Sequence, residues 1–125
     1  MKNFINLHCH TKFSWDCFSD IDKLTKFVAS QGQTALAITD HGSVSGAIKF
    51  HESCKKNKIK PIIGCELYVC TNQQSSLDKH KDNRRLNHLV VLAKNETGYK
   101  NLLKLVSMSN YAERFYYDCR IDEQL

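Results

Sequence analysis

"ALAITDHG", residues 35–42, says most about the fold, because a continuous apolar run is followed at once by polar residues. Such a run is typical of a strand in a parallel sheet, where both faces of the strand are covered. Asp40 and His41 come at its carboxyl end, and Gly42 permits the turn that follows. Functional sites of parallel α/β folds form at that end of the strands. The segment therefore predicts an α/β fold with a site beyond this strand.

Strand-like and helix-like segments alternate on either side of it. Apolar or alternating patterns predict strands over residues 3–9, 34–39, 60–69 and 88–93, the third of them one strand or a pair broken at Gly64. Helical spacing of apolar residues predicts helices over residues 20–32, 45–57 and 95–110. Ser19 or Asp20 is suited to cap the first helix, and Gly32 to end it. Residues 73–85 are polar, lack periodicity and are predicted to form a loop.

The order β-α-β-α-β-loop-β-α predicts parallel strands joined by right-handed crossover connections. A doubly wound sheet and a β/α barrel both fit this order. The 125 residues suffice for one domain with one core. No apolar run approaches the roughly 20 residues of a membrane helix, and the N-terminal apolar stretch is too short for a signal peptide. We expect a cytoplasmic protein without a membrane partner.

Six cysteines occur in the chain, at irregular spacings and without a secretion signal. This favours reduced thiols over a disulfide scaffold, and the lack of a C-x-x-C motif argues against a structural zinc ribbon. The formal net charge of +5 permits an acidic partner such as nucleic acid. Neither a P-loop nor a dinucleotide-binding glycine motif is present.

A second set of polar residues lies near the ends of the other predicted strands. His8 and His10 are two residues apart, so in a strand they project from the same face near its carboxyl end. Asp16 follows six residues after His10, in a segment able to fold back over that end. Taken alone, a histidine pair of this kind is weak evidence for a site.

Two further residues strengthen the case. Glu66 lies inside the apolar strand of residues 60–69, where a buried carboxylate is costly unless it is paired or binds a metal. His88 opens the strand of residues 88–93, which is the wrong end for a site at the carboxyl ends of parallel strands. In an all-parallel sheet, His88 would therefore lie at the end of its strand opposite to the other candidates.

Histidines and carboxylates without an obligatory thiolate suit Zn²⁺, Mn²⁺ or Fe²⁺. The candidates outnumber the ligands of one tetrahedral zinc, which indicates a multinuclear site. Such sites characteristically hydrolyse phosphoesters, because one ion acidifies the attacking water while others clamp phosphate oxygens. Asp40 is either a further ligand or a partner that orients the imidazole of His41.

Four blocks, "HCHTKFSWD", "ALAITDHG", "KPIIGCELYV" and "HLVVLAKNETGYKNLLKLVS", together resemble the PHP (polymerase and histidinol phosphatase) domain. The last block is similar to the branch at the N-terminus of bacterial replicative DNA polymerase III alpha subunits. The resemblance implies a distorted seven-stranded β/α barrel with parallel strands and crossover helices, of which residues 1–125 form the N-terminal half. It implies a trinuclear site of Zn or Mn, with Fe or Mg as other metals, whose ligands here are His8, His10, Asp16, His41, Glu66 and His88.

Two departures from the family pattern affect these expectations. Polymerase versions usually read S-L-L-D-G after the first histidines, whereas Ser14-Trp15-Asp16-Cys17 places the aspartate one residue earlier, as in the wider family. The family's last ligands, a histidine or cysteine and a D-x-H pair, have no counterpart here, because no histidine follows His88. We therefore expect a partial PHP domain that the rest of a polymerase chain, or a second chain, completes.

Three functions remain open at this point. The first is a metal-dependent phosphoesterase that acts on DNA as a 3′→5′ exonuclease. The second is a scaffold without catalysis that stabilises a polymerase and docks a separate proofreading exonuclease. The third is a stand-alone phosphatase of the histidinol phosphate type, which the polymerase-like last block disfavours.

Overall fold

A computed structural model describes residues 4–70 and 86–122 of the chain. Its helices are α1 (Ile21–Ser30), α2 (Ala47–Lys56) and α3 (Glu96–Ser109). Its strands are β1 (Ala35–Ile38), β2 (Lys60–Val69), β3 (Asn87–Leu92), β4 (Phe115–Tyr116) and β5 (Asp118–Cys119). The order of these elements along the chain confirms three predicted helices and three of the four predicted strands. Within the described part of the chain, no helix is both long and apolar enough to cross a membrane.

The three long strands form a mixed sheet in the order β1-β2-β3. β1 pairs with β2 in parallel, from Ala35 opposite Lys60 to Ile38 opposite Ile63. β3 is antiparallel to β2, so the prediction that all strands are parallel is wrong for this one. A parallel return needs a crossover of about a dozen residues or more, usually a helix, and the polar sequence before β3 has no apolar helical face. The loop predicted over residues 73–85 lies outside the described residues.

The predicted first strand is also different in the structure. Residues 4–9 run beside β1 in the parallel direction, with Ala37 N donating to Asn6 O (2.9 Å) and Thr39 N to Cys9 O (2.8 Å). They do not form a regular strand. The reason is local, because side-chain oxygens of Asn6 and Thr39 accept from the main-chain N–H groups of His8 and Cys9. Such side-chain bonds compete with a β ladder.

Both ends of α1 follow the predicted signals. Asp20 is the N-cap, and its Oδ1 accepts from the N–H groups of Asp22 and Lys23. Gly32 follows the helix at φ +71°, a left-handed conformation that glycine adopts without a Cβ penalty. Its N–H donates to Ala29 O, which satisfies a carbonyl that the helix leaves free.

The core lies on the side of the sheet that the helices cover. One buried cluster joins α1, α2 and β1, and a second joins α3 to β2 and β3. Ile63 on β2 packs against both clusters. Because side chains alternate along a strand, Glu66 and Tyr68 face the opposite side of the sheet from Cys65 and Leu67. That opposite face carries the candidate site.

The C-terminal segment completes the described sheet. β4 and β5 form a small antiparallel hairpin, with Tyr117 at φ +61° in its turn. After it, Ile121 N donates to Tyr68 O (2.9 Å) and Cys70 N donates to Ile121 O (2.9 Å). The segment that follows this hairpin therefore supports the end of β2, next to the candidate site.

Candidate metal centre

The candidate site lies where the ends of several elements meet over β2. His8 and His10 are in the segment beside β1, Asp16 is in the loop before α1, and His41 follows β1. Glu66 and His88 are on β2 and β3. The structure brings together all six residues predicted as ligands, which are His8, His10, Asp16, His41, Glu66 and His88.

Glu66 is at the centre of this cluster and is only 4% exposed. Its Oε2 lies 2.5 Å from His8 Nε2 and 2.7 Å from His10 Nε2. Its Oε1 lies 2.5 Å from His88 Nδ1. One carboxylate therefore contacts three imidazoles that come from two separate segments of the chain.

Asp16 links a second group of side chains. Its Oδ2 lies 3.2 Å from His10 Nδ1 and 3.3 Å from His41 Nε2. Its Oδ1 accepts from Ser14 Oγ (2.7 Å), and the same hydroxyl oxygen accepts from His41 N (3.2 Å). Ser14, which the sequence analysis did not single out, thus orients Asp16 and ties it to the end of β1.

The position of His88 follows from the direction of β3. In the antiparallel register, His88 lies opposite Tyr68, near the carboxyl end of β2. The first residue of β3 is therefore beside the last residues of β2. The position that seemed unsuitable in a parallel sheet is the one that brings His88 to Glu66.

The six residues form three overlapping triads, in each of which the ligand atoms lie within 4.8 Å of one another. They are His8–His10–Glu66, His10–Asp16–His41 and His41–Glu66–His88. Zinc–ligand bonds of about 2.0–2.1 Å place the ligand atoms of a tetrahedral site about 3.3 Å apart. The ring nitrogens of His8 and His10 are 3.2 Å apart, so their spacing fits a shared cation.

One buried atom tests this fit independently. His41 Nδ1 is buried and has no hydrogen-bond partner among the described residues. It lies 3.9 Å from Glu66 Oε2, beyond hydrogen-bond distance. An unsatisfied buried polar atom is costly, and a bound cation would satisfy the nitrogen lone pair. The donor set and this atom both fit a divalent metal ion.

The electrostatics of the cluster keep both carboxylates ionised. Burial by itself would raise the pKa of Glu66, but hydrogen bonds from His8, His88 and His10 lower it to about 2. A hydrogen bond from Ser14, aided by one from His10, lowers the pKa of Asp16 to about 2 despite desolvation. Ionised carboxylates are the form that binds a cation.

Asp40 occupies a supporting position. It is 1% exposed, and its two oxygens accept from Thr11 N (2.5 Å) and Thr11 Oγ1 (2.8 Å). Asp40 therefore contacts Thr11, the residue after His10, and not the imidazole of His41. Burial raises the pKa of Asp40, and the bonds from Thr11 oppose that rise. Asp40 therefore holds the loop that carries His10.

Two aromatic side chains, Tyr68 and Trp15, lie beside the cluster. The Tyr68 ring stacks on His41 with centroids 5.4 Å apart and planes 10° apart. Trp15 stacks more loosely on His41, at 6.0 Å and 27°, and its Nε1 donates to Tyr68 Oη (3.2 Å). Sequence reasoning missed both residues. The two-residue spacing from Glu66 could have found Tyr68, whereas Trp15 lies in a loop without any periodic signal.

Comparison with known sequences identifies the same family. The PHP domain profile matches residues 6–125. The chain is 46% identical over 124 residues to the DNA polymerase III subunit alpha of Treponema pallidum, and 46% identical over 123 residues to that of Chlamydia trachomatis. Each alignment covers 98% of the chain and 10% of the relative, so the chain spans about a tenth of the length of these proteins.

Solved structures show a similar fold. An amidohydrolase from Chromobacterium violaceum, solved with sulfate and no metal, gives a TM-score of 0.57 at 20% identity over 81% of this chain and 32% of its own. A protein from Bifidobacterium adolescentis assigned as a metal-dependent phosphoesterase gives 0.57 at 19% identity, over 84% of this chain and 34% of its own. Together with the profile match, these findings show that the chain belongs to the PHP domain family.

Proposed function

We propose that the cluster is a multinuclear divalent-metal centre that hydrolyses phosphoesters. The observation that carries this proposal is the arrangement of three overlapping ligand triads around Glu66, with His41 Nδ1 buried and unpartnered in the described structure. The phosphoesterase assignment of one structural neighbour agrees with it. Zn or Mn suits the mixture of imidazoles and carboxylates best.

The protein's own groups prepare such a centre in three ways. When bound, divalent ions supply an acidified water and a positive clamp for phosphate oxygens. Glu66 and Asp16 remain ionised because their pKa values are about 2, so they are available as ligands at neutral pH. Asp40 and Ser14 hold the loops that carry the other ligands, and the ring of Tyr68 stacks on His41 and restricts its orientation.

For the substrate, we propose DNA with hydrolysis at a 3′ end. The relatives named above are DNA polymerase III alpha subunits, and this likeness supports DNA as the substrate. The positive net charge of the chain is compatible with this polyanion. The described sheet would then be the N-terminal half of a barrel that the remainder of a polymerase chain, or a second chain, completes.

The decisive experiment measures metal content and hydrolysis in the purified chain. Metal bound after dialysis is measured by mass spectrometry for the wild type, His8→Ala and Glu66→Ala. His51→Ala is the matched control, because His51 is an exposed histidine on α2 away from the cluster. We expect metal in the wild type and the control, and little in the other two variants. A wild-type protein without metal above background would refute the proposal.

The substrate is tested on the same preparations. A 3′-labelled single-stranded oligonucleotide, bis(p-nitrophenyl) phosphate and a set of phosphate monoesters distinguish the classes. Hydrolysis of the oligonucleotide from its 3′ end supports the assignment to DNA. Release of phosphate from monoesters alone would instead indicate a phosphatase of the histidinol phosphate type.

A second function, docking without catalysis, is favoured by a separate observation. Large apolar side chains at Phe4, Leu7 and Leu89 are exposed near the two edges of the sheet. Exposed apolar surface of this kind is common at interfaces. Binding of a polymerase chain or a proofreading exonuclease that persists in His8→Ala and Glu66→Ala, with no hydrolysis by the wild type, would support the docking role.

A further inference from the structure

Trp15 is a large aromatic residue that is held at the edge of the site but left mostly in solvent. It is 79% exposed, although it is adjacent in sequence to Asp16. Its Nε1 donates to Tyr68 Oη (3.2 Å), and its ring lies 6.0 Å from that of His41. One hydrogen bond and one stacking contact thus orient a ring that is otherwise uncovered.

The comparison with Phe18 shows what is distinctive about this arrangement. Phe18 is 96% exposed on the same loop, but within residues 4–70 and 86–122 it makes none of the ring contacts that orient Trp15. A single exposed aromatic residue needs no functional explanation by itself. A ring that is already oriented beside a cluster of ligands loses little conformational freedom when a flat molecule stacks on it.

We propose that Trp15 is a stacking platform for a nucleobase of single-stranded DNA. This proposal rests on the proposed function, which puts a phosphate at the metal centre. The base is joined to that phosphate through one sugar, so it must lie nearby. A phosphate held at His41 and its neighbours leaves that base within reach of a ring 6.0 Å away. The platform therefore selects a nucleotide over an aliphatic phosphate ester.

The physical basis is that every base has a π-face that stacks on an aromatic side chain, whatever the sequence. In a duplex that face is already occupied by the neighbouring base pairs, and exposing it requires unstacking. Trp15 should therefore favour a frayed or single-stranded end over an intact duplex. The small sequence dependence of stacking also suits an enzyme that acts on any DNA end.

Intrinsic fluorescence provides a direct test, because Trp15 is the only tryptophan in the chain. The probe is oligothymidylate of about six nucleotides, within the usual range for single-strand sites, with phosphorothioate linkages that slow hydrolysis. An abasic oligonucleotide of the same length and linkage is the control for charge. We expect saturable quenching by oligothymidylate and none by the abasic strand, both with Zn²⁺ and with a chelator. Equal effects of the two strands would overturn the proposal.

Variants test the same contact from the side of the protein. Binding of labelled oligothymidylate is measured by fluorescence anisotropy for Trp15→Leu, Trp15→Phe and the matched control Phe18→Leu. We expect Trp15→Leu to weaken binding about 5- to 150-fold, which corresponds to about 1–3 kcal/mol for stacking of one base. Trp15→Phe should recover part of the affinity, and Phe18→Leu should bind as the wild type does. Wild-type affinity in Trp15→Leu, with folding verified by circular dichroism, would refute the platform.

The two proposals fail in different ways. If the chain binds metal and hydrolyses bis(p-nitrophenyl) phosphate but shows no quenching that depends on the base, the phosphoesterase proposal stands and the platform proposal is refuted. If the chain shows base-dependent quenching but binds no metal, the phosphoesterase proposal is refuted and the platform proposal stands. The fluorescence and the metal content are therefore read separately.

Discussion

At the scale of single residues, the most informative side chain is Glu66. It is nearly inaccessible to solvent, and its two oxygens contact His8, His10 and His88. The hydrogen bonds hold its pKa near 2 although burial opposes ionisation. A buried carboxylate is stable only when such partners or a cation compensate its charge. The local sequence showed that Glu66 needed partners, and the tertiary structure shows which ones.

Glu66→Gln tests the charge at this position while its size is almost unchanged. The amide cannot supply the negative charge that a cation between the histidines requires. We expect metal affinity to fall by at least about 10-fold, since even partners that only support ligands are worth 10–100-fold. Isothermal titration with Zn²⁺ measures the change, and Glu52→Gln on the exposed side of α2 is the control. Equal affinities in Glu66→Gln and the wild type would show that Glu66 is not a ligand.

At the scale of elements, the close approach of β2 and β3 positions His88. A Cβ built on Gly64 would lie 2.6 Å from the main-chain oxygen of Val91 on β3. The strands can therefore pair at this register only if position 64 lacks a side chain. Gly64 suggested a possible break between two strands, but in the structure it lies at a close contact inside one continuous strand.

Gly64→Val is expected to push β3 away from β2. The clash should lower the free energy of unfolding by about 1–3 kcal/mol, a typical cost of overpacking. Metal affinity should fall as well, because His88 moves away from Glu66. Urea unfolding and Zn²⁺ titration measure the two effects. A variant with unchanged stability would contradict the close packing of these strands.

Gly98→Ala is the matched glycine substitution in α3. A Cβ there meets its nearest atom at 3.6 Å, an ordinary contact, and the position is inside a helix. Alanine should raise the free energy of unfolding by about 0.5–1 kcal/mol, because it loses less backbone entropy than glycine. Metal affinity should stay at the wild-type value. A loss of stability here would show that the packing around α3 is tighter than the structure indicates.

The cap of α1 makes a prediction about pH. A hydrogen bond from Lys12, followed by those from the N–H groups of Lys23 and Asp22, lowers the pKa of Asp20 to about 2 from an ordinary value of 3.8. Because the folded state has the lower pKa, this contribution to stability is complete above about pH 4 and is lost as the pH falls towards 2. Urea midpoints between pH 5 and pH 2 should decline less steeply for Asp20→Asn than for the wild type. Parallel pH profiles would contradict the assignment of this cap.

At the scale of the whole molecule, the cysteines report on the packing. All six are free thiols, as the irregular spacings and the lack of a secretion signal predicted. Burial raises the pKa of both Cys54 and Cys65 to about 12, and both side chains are fully inaccessible. Cys54 belongs to the cluster under α1 and α2, and Cys65 to the one under α3. Each therefore reports on one half of the core.

Alkylation at pH 8 should distinguish these thiols from the partly exposed ones. We expect iodoacetamide to modify Cys54 and Cys65 only when the protein unfolds, because thiolates are the reactive form and both groups are buried and protonated. Peptide mass spectrometry with and without urea measures the modification at each site. Rapid labelling of either residue in the folded chain would show that the corresponding half of the core is open.

The chain's own pattern determines most local features of this protein. Asp20 and Gly32 bound α1, apolar runs define β1 and β2, and the six clustered residues are recognisable by type and by place along the chain. These features depend on neighbours within a few residues, and periodicity records them. The resemblance to the PHP domain, which the profile match confirms, rests on the same local blocks.

Tertiary contacts determine the features that no local pattern contains. An alternating strand reads alike in either direction, so the antiparallel pairing of β3, and with it the place of His88, depends on its partner β2. The contact between Trp15 and Tyr68 joins residues 53 positions apart, and no periodicity spans that distance. The sequence therefore identified the six residues that the structure brings together, while folding determined how they meet, because pairing between distant segments is set by packing and not by local preference.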